Sequence, residues 1–453
     1  MNSGRLAVLC ALLPGCVPVK PPLADASRVA VPVAWRTDAG PTAPMEREWW
    51  RRFGDPVLDA LIAQALANNT DIEIAAARVR EARAQERLSR SQQFPSFDLG
   101  VGLTRERAVG PLGTLIESTA FEPVFEAAYE VDLFGRIANQ VEASRQSFLA
   151  SQAAREATAL SVAAATATGY ITLRSLDERL SIVQQTLRSR AEALRIASNR
   201  ARVGYTSDLE LRQAQAEYQA TAQLVPQVRL AVARQENALS LLLGLSPRSI
   251  KRGLSLAQIH RPPVSDTLPA EVVRQRPDIA QAEFTLAASD ATLAAARAQF
   301  LPQIRLSGTA GSLIASGLGD PVAIWSLGGS VLEPIFNGGR NLAQFQTAVA
   351  RRDQAAFAYR RTVLTAFREV EDNLAAASRL NEQLVTLEAQ RVALASALRH
   401  ARNRYEAGYS AYIEQLDAQR ALLTAELSLV QAQADELNAV VGVYQAVGGG
   451  RTS

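Results

Sequence analysis

The chain has 453 residues, with 48 lysines and arginines against 45 aspartates and glutamates. A net charge of +3 spread over a mixed surface, with no run of like charges, argues against a nucleic-acid groove or a polybasic membrane patch, because either needs clustered positive charge. The length suits several domains or one long repetitive architecture.

In chain order, the first residues predict an export signal over 1–15. Arg5 precedes the apolar run LAVLCALL, too short to span a bilayer, and LPGC ends at Cys16. LPGC resembles a bacterial lipobox, in which Cys16 carries the lipid and becomes the first residue of the mature chain. The alternative is an ordinary signal peptide cut nearby. Cys10 falls in the removed segment, so Cys16 stands alone and no internal disulfide forms. Val17 rather than Asp follows it, which in the lipoprotein sorting pattern favours the outer membrane. Residues 16–48, rich in proline, read as an extended tether from the lipid anchor.

The rest of the chain is duplicated. ARVGYTSDLELRQAQA (201–216) returns as YEAGYSAYIEQLDAQR (405–420), each with Gly-Tyr at the same step and Glu six residues after the Gly. Asp71-Ile72 and Pro95 recur as Asp278-Ile279 and Pro302, 207 residues on; Arg136 and Gln140 recur as Arg340 and Gln344, 204 residues on. Constant spacing over such distances indicates two copies of one unit, 49–245 and 269–453, with a linker at 246–268.

Each copy opens with an Ala-, Arg-, Glu- and Gln-rich helix that a proline stops. Runs of period two around a Gly-rich loop then predict a β-hairpin, with strands at about 96–107 and 122–133 in the first copy and about 303–313 and 323–333 in the second. Long helices follow at about 136–203 and 340–407. Leu173, Leu176, Leu180, Val183, Leu187 and Leu194 mark a coiled-coil seam in one, and Leu380, Leu384, Leu387, Leu394 and Leu398 mark it in the other. The turns at Gly204-Tyr205 and Gly408-Tyr409 end these helices, and helices at about 207–245 and 411–441 return antiparallel.

The strands are near the roughly 9–11 residues needed to cross a bilayer, yet a sheet survives in lipid only when it closes. Four strands are too few, since small barrels start at about eight, so several protomers must pool them. Apolar side chains would then face lipid while Glu126, Glu130 and Asp132 face a watery lumen. The alternative is a lipid-anchored structural coiled coil capped by the hairpins, without a pore.

On this frame, and in this order, WWRRFGDPVLDALIAQALANNTDI, YEVDLFGRI, LLLGLSP, RQRPDIAQAE, FLPQIRLSG, FNGGR and RYEAGYSAYIEQLDAQRALL resemble the TolC-like outer-membrane efflux proteins, and among them the lipoprotein subfamily of OprM/NodT type. The resemblance runs from about Trp49 to Gly448. It implies a mainly α fold with a small transmembrane β part: a homotrimer with a twelve-stranded β-barrel in the outer membrane, continuous with a twelve-helix α-barrel reaching across the periplasm. It also implies an equatorial layer built from 246–268 and the chain ends. Pro226 fits by interrupting the first return helix, with nothing similar in the second. The implied function is the passive exit duct of a tripartite pump of RND type, with a periplasmic adaptor and an inner-membrane transporter as partners and small molecules as cargo. Type I protein secretion is the alternative on the same fold.

The resemblance places an inner gate at the doubled turn. Tyr405 corresponds to a gate tyrosine, Ile413 to an apolar constriction, Glu414 and Asp417 to acidic positions at the pore mouth, and Glu210 to a carboxylate in the closing contacts. Ser410 stands where some members carry Arg. Gly204, Tyr205, Gly408 and Tyr409 fall where the adaptor would dock. No catalytic constellation or cofactor is expected beyond the lipid on Cys16. His260 and His400 lack partners at metal-ligand spacing, and no phosphate-binding loop is present.

Overall fold

The computed structural model describes residues 27–37, 42–43, 46–109, 111, 113–265 and 267–449; the signal segment and Cys16 lie outside them. In chain order the elements are β1 (Thr42–Ala43), α1 (Pro56–Asn68), α2 (Thr70–Ser91), β2 (Ser96–Val109), β3 (Leu115–Val131), α3 (Arg136–Arg202), α4 (Asp208–Ala222) and α5 (Leu224–Leu242). The second half adds β4 (Val264–Ser265), α6 (Pro269–Gln275), α7 (Pro277–Ala298), β5 (Gln303–Ala315), β6 (Val322–Leu332), α8 (Arg340–Glu406) and α9 (Tyr412–Ala446). The duplication is literal in the helices: α2 and α7 have 22 residues each, and α3 and α8 have 67 each, roughly 100 Å at 1.5 Å per residue.

The chain divides into two compact units. One gathers Ala77–Gln152 and Gln281–Arg361 and contains a four-stranded antiparallel sheet of order β2-β3-β5-β6. Its register sorts side chains by face. Phe97, Leu99, Val101 and Leu103 lie across from Ala127, Phe125, Pro123 and Phe121; Phe125 continues to Ala310 and Trp325, and Phe121 to Ile314. The opposite face carries Asp98, Glu122, Glu126, Glu130, Arg305, Ser307, Thr309 and Ser326. The apolar face is exposed in the single chain, with Phe97 at 77% and Trp325 at 79%. Among the described residues, the outer edges of β2 and β6 have no strand partner.

Two strand expectations need correction. β3 begins at Leu115, not near 122, because the ladder to β2 runs through Pro123 to the turn. The ladder to β5 omits Glu122 and Pro123 and then resumes in register, since proline has no N–H to give. At its other end β3 stops at Val131, so Asp132 is not a lumen-facing strand residue. Its carboxylate turns to the start of α3 and accepts from the backbone N–H of Ile137 (3.0 Å) and Ala138 (2.6 Å), a favourable place for negative charge.

The other unit gathers Val29–Ala76, Ala153–Ala280 and Thr362–Ser453. Its core joins Trp49, Phe53, Leu58 and Ile62 to Tyr170 and Ile171 on α3, Leu239 on α5, and Val440 and Tyr444 on α9. Trp49 stacks on Tyr444 with centroids 5.3 Å apart. Asp55, fully buried before α1, accepts from Val57 N, Leu254 N and the Tyr170 hydroxyl, and so ties the inter-repeat linker to the start of the first repeat.

Part of the expected tether is docked rather than free. Trp35 donates its indole N–H to the Thr267 carbonyl (2.8 Å), Glu371 accepts from Arg36 N, and β1 pairs with β4 in parallel. The first return helix is also not continuous. It breaks at Gln223, just before Pro226, whose missing N–H and ring remove the bond to residue 222. Its counterpart α9 runs 35 residues without a break.

Candidate functional site

The two doubled turns have the same backbone chemistry. Gly204 (φ 73°) and Gly408 (φ 79°) are left-handed. Tyr205 N bonds Arg200 O and Gly204 N bonds Ala201 O; in the second copy Tyr409 N bonds Arg404 O and Gly408 N bonds Tyr405 O. These paired six-to-one and five-to-two bonds close a Schellman cap, which satisfies the last carbonyls and places glycine where a Cβ is penalised. No atom lies within 4 Å of a Cβ built at either glycine, so the constraint is conformational rather than steric.

Beyond the turns the copies diverge. Ser207 caps α4 by accepting from Glu210 N, whereas Ala411 before α9 offers no side-chain cap. Glu210 and Glu414 are repeat equivalents, yet only Glu210 is locked: it accepts from the Tyr405 hydroxyl and from Thr206 Oγ1. Tyr405 is buried against Tyr412, with rings 5.4 Å apart, and the Arg200 guanidinium lies 4.9 Å from its ring centroid. Burial first, and the bond to Glu210 second, push the Tyr405 hydroxyl up to about 12. Ala197, Ala214 and Leu416 complete this small core.

Ile413, Glu414 and Asp417 instead sit on the exposed face of α9, with Ile413 41% accessible in the single chain. Glu414 has one loose ion pair, to Arg404 at 3.7 Å, and Asp417 one to Arg420 at 3.4 Å. The structure thus joins Tyr405 to Glu210 and leaves the other three facing outward. Tyr205 and Tyr409 are exposed beside their turns, at 83% and 81%.

Several participants were given no role at this site from the sequence. Arg200 and Arg404 precede the turns. Above them, Arg190 on α3 is buried (4% exposed) and donates to the Glu217 carboxylate (2.5 Å), the Glu217 carbonyl (3.0 Å) and Thr221 Oγ1 (2.6 Å). Arg420 from α9 reaches the same Glu217 carboxylate, its Nε at 2.9 Å. Burial pulls the Arg190 guanidinium below its ordinary value. A signal was present: Arg190 fills the seam slot between Leu187 and Leu194, and a charge in a coiled-coil core requires a partner.

Among the described residues there is no group of three or more metal-ligating side chains. His260 is exposed and bonds through its backbone to Phe53, and His400 is exposed on α8. An open cavity of about 710 Å³ in the sheet unit has a mixed wall, with Ser89, Gln140, Ser144, Gln344 and Arg351 beside several alanines and no carboxylate, thiol or imidazole.

The chain matches the family described as outer membrane efflux protein over residues 61–245 and 268–449. It is 32% identical to the toluene efflux pump outer membrane protein TtgC of Pseudomonas putida, with 98% of this chain and 95% of TtgC covered. It is equally 32% identical to the probable outer membrane lipoprotein SilC of Salmonella typhimurium, with 89% and 88% covered. Among solved structures it superposes on the outer-membrane channel OprN with a TM-score of 0.87 at 30% identity, covering 96% of this chain and 99% of that one. The open state of the Neisseria gonorrhoeae channel MtrE gives a TM-score of 0.82 at 30% identity, covering 94% and 96%.

Proposed function

This chain belongs to the outer membrane efflux protein family, and from that premise we propose how it opens, what it carries and how it is anchored. It is an outer-membrane channel, not an enzyme, and serves as the passive duct of an efflux pump. It works as a trimer with a periplasmic adaptor and an inner-membrane transporter. Three copies of the sheet supply twelve strands. The bare edges of β2 and β6 meet between neighbours, and closure removes edges that lipid cannot solvate. The apolar face, with Phe97, Leu99, Phe125 and Trp325, then meets lipid, while Glu122, Glu126 and Thr309 line water.

The gate lies at the doubled turn. The observation that carries this is the Tyr405–Glu210 bond, which fastens the end of α8 to the start of α4. Ile413, Glu414 and Asp417, turned outward in one chain, converge around the three-fold axis, where an apolar ring excludes water and carboxylates attract cations. Tyr205 and Tyr409, beside Gly204 and Gly408, receive the adaptor. The names of TtgC and its kin support small-molecule cargo, and SilC supports a lipid on Cys16.

The test is single-channel recording of detergent-extracted trimers in planar bilayers. Wild type should give small, flickering currents with cation preference. Glu414→Ala with Asp417→Ala should reduce that preference, and a steady current indifferent to both changes would remove the gate from this position.

A further inference from the structure

Two carboxylates on α4 receive donors from the second helical hairpin. Glu210 takes the Tyr405 hydroxyl from α8, and Glu217 takes Arg420 from α9. They are seven residues apart, two turns of helix, and so share a face. Each also holds a donor from its own hairpin, Thr206 for Glu210 and Arg190 for Glu217.

The two donors on Glu217 are not alike. Arg190 is almost fully buried and makes three bonds within the first hairpin, to the carboxylate, to the Glu217 carbonyl and to Thr221. Arg420 has half its side chain in solvent and is shared with Asp417 on its own helix. If Arg420 were the sole partner, its departure would leave a carboxylate that is 8% exposed without a counter-charge, which is among the costliest ways to break a buried pair. The repeat equivalents of Arg190, Glu217 and Arg420 are Leu394, Ala421 and Ala216. The cluster is therefore specific to this junction and not a by-product of the duplicated hairpin.

Building on the tip gate, we propose that Arg190 is a standing counter-ion for Glu217: it keeps the carboxylate neutralised in both positions of the second hairpin, so that Arg420 can let go as the tips part. Arg190 positions the closed state and at the same time makes it releasable. Arg420 is the arm that moves.

The two arginines then have opposite effects, which a purely structural role for either does not give. Open-state occupancy of purified trimers is read in planar bilayers for Arg420→Met, Arg190→Met and, as a reference, Tyr405→Phe. Arg420→Met removes a partly exposed pair and should raise occupancy about two- to fivefold per protomer. Arg190→Met makes Arg420 the only partner of a buried carboxylate and should lower occupancy roughly a hundredfold. Adding Glu217→Gln to Arg190→Met should abolish that loss and bring occupancy to the level of Arg420→Met. This double variant also carries the test if Arg190→Met alone does not assemble, and a double variant more closed than wild type would overturn the proposal. So would an Arg190→Met channel that opens like Arg420→Met or is unchanged. If Tyr405→Phe opens the channel while the arginine variants fail to diverge, the counter-ion role falls and the tip gate stands. If the arginine variants diverge while Tyr405→Phe is silent, the counter-ion role stands and the tyrosine lock falls.

Discussion

The Tyr405 hydroxyl donates to the Glu210 carboxylate across 195 residues of chain, joining the end of one repeat's long helix to the first turn of the other repeat's return helix. The repeat mate of Tyr405 is Ala201, so Glu414 has no corresponding donor. One carboxylate of the duplicated pair is held by a buried donor, and the other is exposed with only its loose ion pair to Arg404.

Tyr405→Phe keeps the ring on Tyr412 and under Arg200 but removes the donor. A hydrogen bond to a charged group contributes about 1.5 kcal/mol or more, so open occupancy should rise about tenfold per protomer. Recordings that match wild type in amplitude and dwell time would show that this bond does not hold the channel closed.

The same contact has a defined pH range. The folded hydroxyl titrates near 12, above its ordinary 10.0, because burial and then Glu210 favour the protonated form. A group whose folded value is raised contributes its stabilisation in full below the unfolded value and loses it as pH rises through the folded one. The contribution should therefore be complete at neutral pH and up to about 10, and decline from there to about 12. Absorbance titration of tyrosinate in wild type against Tyr405→Phe checks it: the difference should show one late-ionising tyrosine, and a difference centred near 10 would contradict the burial argument.

At the turns, Gly408→Asn should be nearly silent, because asparagine tolerates the left-handed region. Gly408→Val should cost about 1–2 kcal/mol locally and should weaken capture of the adaptor while trimers persist. The same holds at Gly204. Co-purification with the adaptor, beside trimer bands on mild electrophoresis, separates assembly from folding.

Neighbouring residues of β5 test the sheet. Ala310 lies between Phe125 and Trp325 on the apolar face, and Thr309 between Glu126 and Ser326 on the polar one. Ala310→Arg should destabilise the barrel by about 2–4 kcal/mol, seen as a lower midpoint in detergent-to-lipid refolding. Thr309→Arg should leave that midpoint nearly unchanged and reduce cation preference. Equal losses from both would mean that the faces are wrongly assigned.

In the linker, a Cβ at Gly253 would fall within 2.7 Å of the Asp55 carboxyl carbon, and that carboxylate cannot yield without releasing Tyr170 and Leu254. Gly253→Ala should lower the thermal midpoint by the equivalent of about 2–3 kcal/mol, with unchanged conductance in the trimers that remain.

Much of the fold was legible because it is periodic. The leucine seams, the stopping prolines and the glycine turns are local signals, and duplication repeats each of them. The start of β3 was not, because LIESTAF does not alternate and acquires its register only from β2 across the hairpin. Pro226 marked the broken return helix from sequence, since its effect acts over four residues. The contacts around the proposed gate were legible in part. The family resemblance pointed to Tyr405 and Glu210 beside the doubled turn, but the Arg190–Glu217–Arg420 cluster spans 230 residues of chain, a relation that exists only after the hairpins pack. Asp132 was misplaced because alternation does not reveal that a strand's last acid has left to cap a helix.

The equal lengths of α3 and α8 carry an evolutionary consequence. One residue inserted into either would advance its tip by about 1.5 Å and turn every later side chain by about 100°, removing Tyr405 from Glu210 or Arg190 from Glu217. The strand hairpins are under no such rule, and the repeats differ by three residues there while their 67-residue helices agree to the residue. Descendants of the original duplication can therefore lengthen their outer loops one at a time. Their reach inward can change only by matched edits in both halves, so length in this lineage should be inherited as a pair.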